Sequence, residues 1–219
     1  MKKHIISKIN ELGFLFIGFL FCAMLLTMRI KVTESFFYLF LAWNLFLAFI
    51  PYGITFILGS KKTWQHSWWI LIPIFGIWLL FLPNTPYLIT DLQHLRHASS
   101  ETLWYDAMML FVFASYGLYI MTLTIQEMHQ ILSNKIDTKW LGLLFISIFL
   151  LCGFGIYLGR FLRWNSWDIL QNPTGLIEDI AIRIRHPFTY SKTWMVTFGY
   201  AGITSLFYYA TRLSNKVKD

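Results

Sequence analysis

Asp91 and His94 are the side chains whose types and spacing most plainly permit chemistry in this chain of 219 residues. Residues three apart face the same way on a helix, and a carboxylate beside an imidazole stabilises the ring's protonated form and fixes its tautomer. That combination suits general acid or base work, so Asp91 and His94 are the candidate catalytic pair. A second set lies in GFGIYLGRFLRWNSWD, Gly153 to Asp168. If a helix continues through it at about 100° per residue, Arg160, Arg163, Trp164, Trp167 and Asp168 share one stripe. Forked guanidinium donors suit phosphate or carboxylate. Asn84, Tyr87 and Asn165 join this stripe as candidate anion-binding residues.

Asp91-x-x-His94-x-x-His97, with Glu101 beyond, has the residue types of a metal site but not the geometry. Three ligands at that spacing climb about 9 Å along an α-helix and drift around it, so they do not meet one ion unless the helix unwinds. No metal site and no cofactor is expected. His66, His97, His129 and His186 read as interface or loop histidines. The structural alternative for the whole set is an ion-pair network in which Asp91 or Asp168 neutralises Arg160 or Arg163.

The elements that must position these residues follow from composition. The chain is 57% hydrophobic and 13% charged, with a mean hydropathy of +0.55. A soluble domain carries about 25% charged residues, so this is a membrane protein with one integral domain over residues 1–219. The formal charge of +7 does not indicate nucleic acid, because the cations lie at the ends of apolar runs and form no basic stripe. Cys22 and Cys152 sit inside apolar runs and read as small buried hydrophobes. The basic start and apolar centre of MKKHIISKINELGFLFIGFLFCAMLL are read as an uncleaved first span, since no small-residue cleavage site follows.

Six runs approach the roughly 20 apolar residues of a membrane helix. They are Leu12 to Met28, Phe36 to Leu58, Trp68 to Ile89, Leu103 to Ile125, Trp140 to Gly159 and Trp194 to Tyr209. Trp64, Trp68, Trp69, Trp104, Tyr105, Trp140 and Trp194 near their ends fit interfacial belts. Lys2, Lys3, Lys8, Lys61, Lys62, Lys135, Lys139, Arg212, Lys216 and Lys218 then fall on one side. The positive-inside rule makes that side cytoplasmic, with both termini there and the protein in the cell membrane. Arg160, Arg163, Arg183, Arg185 and Lys192 stand on the outer side against this bias.

The third run, WWILIPIFGIWLLFLPNTPYLITDLQHLRH, is expected to break at Pro83–Pro86. Asn84 or Thr85 is expected to cap a second helix with Pro86 at its first position, aiming free N–H groups at an anion. Broken backbone at membrane depth needs protein or a watery cavity around it, which predicts a polar pocket facing outward. Asn44 is expected to bond a neighbouring helix, and Asp106 to complement a helix dipole. Gly153, Gly155 and Gly159 suit close helix approach. Asn172-Pro173 reads as a cap for an amphipathic helix on the outer surface, with Leu176, Ile177, Ile180, Ala181 and Ile184 on one side and Glu178, Asp179 and Arg183 on the other.

PNTPYLITDLQHL, Trp104-Tyr105-Asp106 and GFGIYLGRFLRWNSWD followed by Asn172-Pro173 closely resemble the bacterial membrane-protein family called domain of unknown function 1361. The resemblance covers nearly the whole chain and implies a multi-pass membrane protein; it brings no established reaction. The fold expected is an all-α, polytopic helical bundle of about six spans plus one outer interfacial helix. The function expected is an extracytoplasmic pocket for an anionic lipid headgroup or lipid-linked envelope substrate, with scope for acid–base chemistry. A transporter for a small anionic solute and a structural or assembly partner of a membrane complex are the alternatives, so an enzyme is not decided. Membrane lipids are the expected partners, nucleic acid is not, and no protein partner is indicated.

Overall fold

The long apolar runs all form helices, because a chain without water around it satisfies its backbone only by closing hydrogen bonds within each span. The computed structural model describes residues 6–216, with side chains described through residue 213. Lys2, Lys3 and Lys218, used above for orientation, lie outside the described residues, as does the side chain of Lys216. Among the described residues all regular structure is helical. Helix α1 is Ile9–Thr33, α2 is Phe40–Ser60 and α3 is Trp68–Phe81, which continues through the turn Asn84–Tyr87 and a 3-10 segment, Leu88–His97. Then follow α4 (Leu103–Ser133), α5 (Thr138–Phe161), the surface helix α6 (Pro173–Arg185) and α7 (Ser191–Lys216).

Among the described residues, five stretches are long and apolar enough to cross a membrane: Ile9–Thr33, Phe37–Ser60, Trp68–His97, Leu103–Ser133 and Thr138–Phe161. The sixth expected run lies in α7, which has the length, 26 residues, but carries more hydroxyl groups and so is less apolar than the other five. It nevertheless runs back along α5. Phe145 stacks on Tyr208 with ring centroids 6.2 Å apart, and Phe154 meets Trp194 at 6.1 Å. A Cβ added at Gly153 would lie 2.2 Å from the Thr197 carbonyl oxygen, so only glycine lets the two backbones touch there.

Helix α4 is the centre of the bundle. Its membrane-length stretch is 67% buried, against 22% for α1, whose apolar side chains face outward. Leu118, Met121, Ile125 and Met128 of α4 pack with α3, α5 and α7, while Met109, Leu110, Phe113 and Ile120 pack with α1 and α2. Gly117 of α4 accepts the third span: an added Cβ would meet the Thr85 carbonyl oxygen at 2.3 Å. Thr124 joins three elements, accepting from Trp78 Nε1 at 2.8 Å, donating to the Pro51 carbonyl at 3.0 Å and facing Thr55 Oγ1 at 3.1 Å.

Ion pairs mark the two ends. At one end Lys8 pairs with Glu127, and Arg212 approaches His129 Nε2 at 3.4 Å, so the two described chain ends lie together. At the other, Arg29 pairs with Asp106, donating from Nη2 to Oδ2 at 3.0 Å. Asp106 is therefore not simply a dipole complement at the start of α4. It is fully buried and neutralises Arg29 of α1, a partner the sequence did not suggest.

Helix α6 begins as expected, with Asn172 Oδ1 accepting from Gly175 N–H at 3.1 Å and Pro173 at the first helical position. Its orientation differs from a surface helix with its charges in water. Arg183 is buried, bonded to Asp179 Oδ1 at 2.8 Å and set over the Tyr190 ring at 5.1 Å, while Ile177 and Ile184 face outward. Burial opposes the Arg183 charge, but hydrogen bonds with Tyr157 and Asp179 outweigh it and hold the guanidinium pKa above its ordinary value.

Candidate functional site

The regular helix of the third span stops at Phe81, two residues before the first of its two closely spaced prolines. Proline has no N–H to donate, which frees carbonyls one turn upstream. Neighbouring side chains compensate: Thr85 Oγ1 donates at 2.8 Å to the Leu82 carbonyl, which Pro86 leaves without its helical donor, and Asn84 Nδ2 donates at 2.9 Å to the Phe81 carbonyl, from which Thr85 N–H has turned to Leu82. The chain keeps winding, with Tyr87 N–H bonded to the Pro83 carbonyl at 3.1 Å. The expected capped second helix is thus absent. Asn84 and Thr85 satisfy carbonyls behind them and cap nothing ahead, so no helix start aims free N–H groups at an anion.

From Leu88 the backbone is 3-10, with three residues per turn. That winding stacks Asp91, His94 and His97 on one face, where an α-helix would fan them out. Arg160 of α5 docks against this row. Its Nη1 donates to Asp91 Oδ1 at 3.3 Å and its Nη2 lies 3.1 Å from His94 Nε2. The other oxygen of Asp91, which is fully buried, accepts from Asn44 Nδ2 at 2.9 Å. A guanidinium only donates, so His94 Nε2 accepts and its proton sits on Nδ1. Asp91 and His94 are therefore not a direct carboxylate–imidazole pair; a guanidinium bridges them. His94 Nδ1 is buried beside Phe37 and Phe40, with no acceptor among the described residues.

Helix α5 ends at Phe161, so the stripe predicted for a continuing helix does not form. Arg163 takes a left-handed conformation, φ 63°, and Trp164 N–H turns back to the Leu158 carbonyl at 3.1 Å. Left-handed backbone costs a non-glycine residue about 1–2 kcal/mol. Arg163 is exposed and joins neither Asp91 nor Asp168. Asp168 instead caps its own loop, its Oδ2 accepting from Asn165 N–H at 2.7 Å and from Asn165 Nδ2 at 3.2 Å. Trp164 Nε1 donates to Asp179 Oδ2 at 2.7 Å, tying the loop to α6.

Between α2, the proline turn, α5 and this loop lies a cavity of about 150 Å³. Trp43, Asn44 and Leu47 form one wall, and Leu80, Pro83, Asn84 and Tyr87 another. Gly155, Leu158, Gly159, the segment Trp164 to Trp167 and Leu176 complete it. The glycines set its depth: an added Cβ would lie 2.6 Å from Pro83 Cγ at Gly155 and 3.1 Å from the Tyr87 ring at Gly159. Of the residues singled out in the sequence, Asn84, Tyr87, Trp164, Asn165 and Trp167 line this cavity, while Asp91, His94, Arg160, Arg163 and Asp168 do not. The two groups touch through Asn44, which bonds Asp91, and through Tyr87, whose ring lies 5.9 Å from the Arg160 guanidinium carbon. Trp43 and Ser166 were not anticipated. Trp43 stands beside Asn44, and its ring packs edge-on to Trp167 with centroids 6.3 Å apart.

The profile of a family described as protein of unknown function (DUF1361) matches residues 43–207. The chain belongs to that family. No curated protein and no solved structure matches it. The DUF1361 region begins at Trp43 and contains every residue of the cavity wall together with Asp91, His94 and Arg160. It excludes all of α1 and hence Arg29 of the Arg29–Asp106 pair. Within the DUF1361 region, the two stretches that carry the motifs, Pro83 to Leu95 and Gly153 to Asp168, meet across one cavity and one ion pair.

Proposed function

We propose that this multi-pass DUF1361 protein binds the polar head of a lipid or lipid-linked envelope compound on the extracytoplasmic side of the cell membrane. The observation that carries this reading is the cavity at the proline turn, which mixes amide and hydroxyl groups with indole and aliphatic walls and is set against the flank of the bundle. Trp43, which lines it, is 54% exposed on the outer flank of α2 beside Phe46, at 57%. A ligand with its tail in the bilayer reaches such a site sideways, whereas a solute would need an aqueous path. Lys8, Arg212 and Lys135 stand at the opposite end of the bundle, which the positive-inside rule makes cytoplasmic.

Binding fits this geometry better than acid–base catalysis, because Asp91 and His94 do not reach the cavity and His94 Nε2 is taken by Arg160. An anion holder fits less well too, since Arg160 is paired with Asp91 and Arg163 stands outside the wall. Native mass spectrometry of protein extracted in mild detergent tests the reading, with Asn165→Trp as the cavity-blocking variant on an exposed loop. Wild type should carry a lipid or lipid-linked adduct that Asn165→Trp loses by at least about tenfold, some 1.4 kcal/mol, with an unchanged gel-filtration profile. Equal adducts on both proteins overturn it.

A further inference from the structure

The walls of the cavity offer more than a polar surface; they specify what the bound group must supply. Asn44 and Asn84 each have their amide orientation fixed by a hydrogen bond that Nδ2 donates. Asn44 Nδ2 donates to the Asp91 carboxylate, and Asn84 Nδ2 donates to the Phe81 carbonyl and to Ser166 Oγ at 3.1 Å. Their Oδ1 atoms are therefore acceptors, and neither has a donor among the described residues. Tyr87 and Trp167 line the cavity too, and their Oη and Nε1 donors likewise make no hydrogen bond among the described residues. A ligand suited to this set both donates and accepts. A hydroxyl does so, while a phosphate dianion only accepts and faces two acceptors that it cannot satisfy.

Charge leads to the same choice. Among the described residues no charged side chain lines the cavity, and Arg160 turns Nη1 to Asp91 and Nη2 to His94, away from it. Shape narrows the choice further. Trp43 and Trp167 meet at 69°, so they present a flat wall and an edge at one corner. At about 150 Å³ and open on one side, the cavity takes one ring and leaves its substituents room toward the mouth. We infer that the group seated here is a single neutral, polyhydroxylated six-membered ring, a glycosyl head whose C–H face lies on an indole and whose hydroxyls meet Asn44, Asn84 and Tyr87. The inference rests on the headgroup-binding reading above and names the chemistry of that head.

Calorimetric titration of the purified full chain, held in an amine-oxide detergent free of sugar, tests it with three probes: octyl glucoside, methyl glucoside and octyl phosphate. Octyl glucoside should bind, and octyl phosphate should bind at least about tenfold more weakly. Trp167→Ala should weaken octyl glucoside by about tenfold, while Trp167→Phe, which keeps a flat face, stays within about threefold of wild type. Since a folding defect would lower binding of every probe, rescue by phenylalanine marks stacking as the cause. Methyl glucoside binding as tightly as octyl glucoside supports the glycosyl ring and overturns the lipid-borne reading. Tighter binding of octyl phosphate overturns the glycosyl inference and leaves the headgroup reading standing. No binding of any probe overturns both.

Discussion

At the residue scale, the decisive arrangement is Arg160 held between Asp91 and His94. A buried carboxylate next to a guanidinium is costly to leave alone, and removing one partner of such a pair typically costs about 3–5 kcal/mol. Asp91→Asn should therefore lower the unfolding midpoint in detergent sharply, while Asp91→Asn combined with Arg160→Gln should recover much of the loss. Equal stability of Asp91→Asn and wild type would mean that the pair contributes nothing. His94→Gln is the informative contrast: a glutamine carbonyl accepts from Arg160 as Nε2 does, so its midpoint should stay close to wild type, within about 1 kcal/mol. The residue types of this cluster were legible in the sequence, and their pairing was not. Arg160 and Asp91 are brought together by the docking of α5 on the third span, and Asp106 finds Arg29 across the bundle in the same way. Arg163 was misplaced because nothing local to an arginine announces a left-handed helix end, a position that usually reads as glycine or asparagine.

At the scale of elements, glycines decide how closely helices approach. Gly153 faces the Thr197 carbonyl of α7, a backbone atom that does not yield, whereas an added Cβ at Gly142 of the same helix meets nothing within 4 Å. Gly153→Ala should destabilise by about 1–3 kcal/mol through overpacking. Gly142→Ala should be neutral or stabilise by about 0.5–1 kcal/mol, because helical glycine carries excess chain entropy. Thermal unfolding of the two variants side by side checks this, and a Gly153→Ala protein as stable as wild type would refute the close contact. The small-residue seam could be read from Gly153, Gly155 and Gly159, but what each one touches could not. The proline break was equally readable, while the 3-10 winding after it was not. That winding depends on a partner: it lines up Asp91 and His94 for a guanidinium supplied 66 to 69 residues later.

For the whole molecule, composition and apolar run length made the helical membrane fold legible, because lipid permits so few alternatives. The cavity was legible only as a location, since Trp43 and Ser166 reach it from separate elements. Sidedness is testable with single cysteines at Ser60 and Ser100 in a Cys22→Ala/Cys152→Ala background. On intact cells an impermeant maleimide should label Ser100→Cys and leave Ser60→Cys unlabelled until the membrane is opened; labelling of both from outside would overturn the topology. The two ion pairs that hold α1 antiparallel to α4 also amount to a ruler. Lys8 to Arg29 and Asp106 to Glu127 are the same distance along their helices (29 − 8 and 127 − 106, both 21), about 31 Å at 1.5 Å per residue. The hydrocarbon core of a typical bilayer is about 30 Å thick. An upright bundle would set the pairs at its two boundaries, and a markedly thicker membrane would then draw one or the other of them into oil.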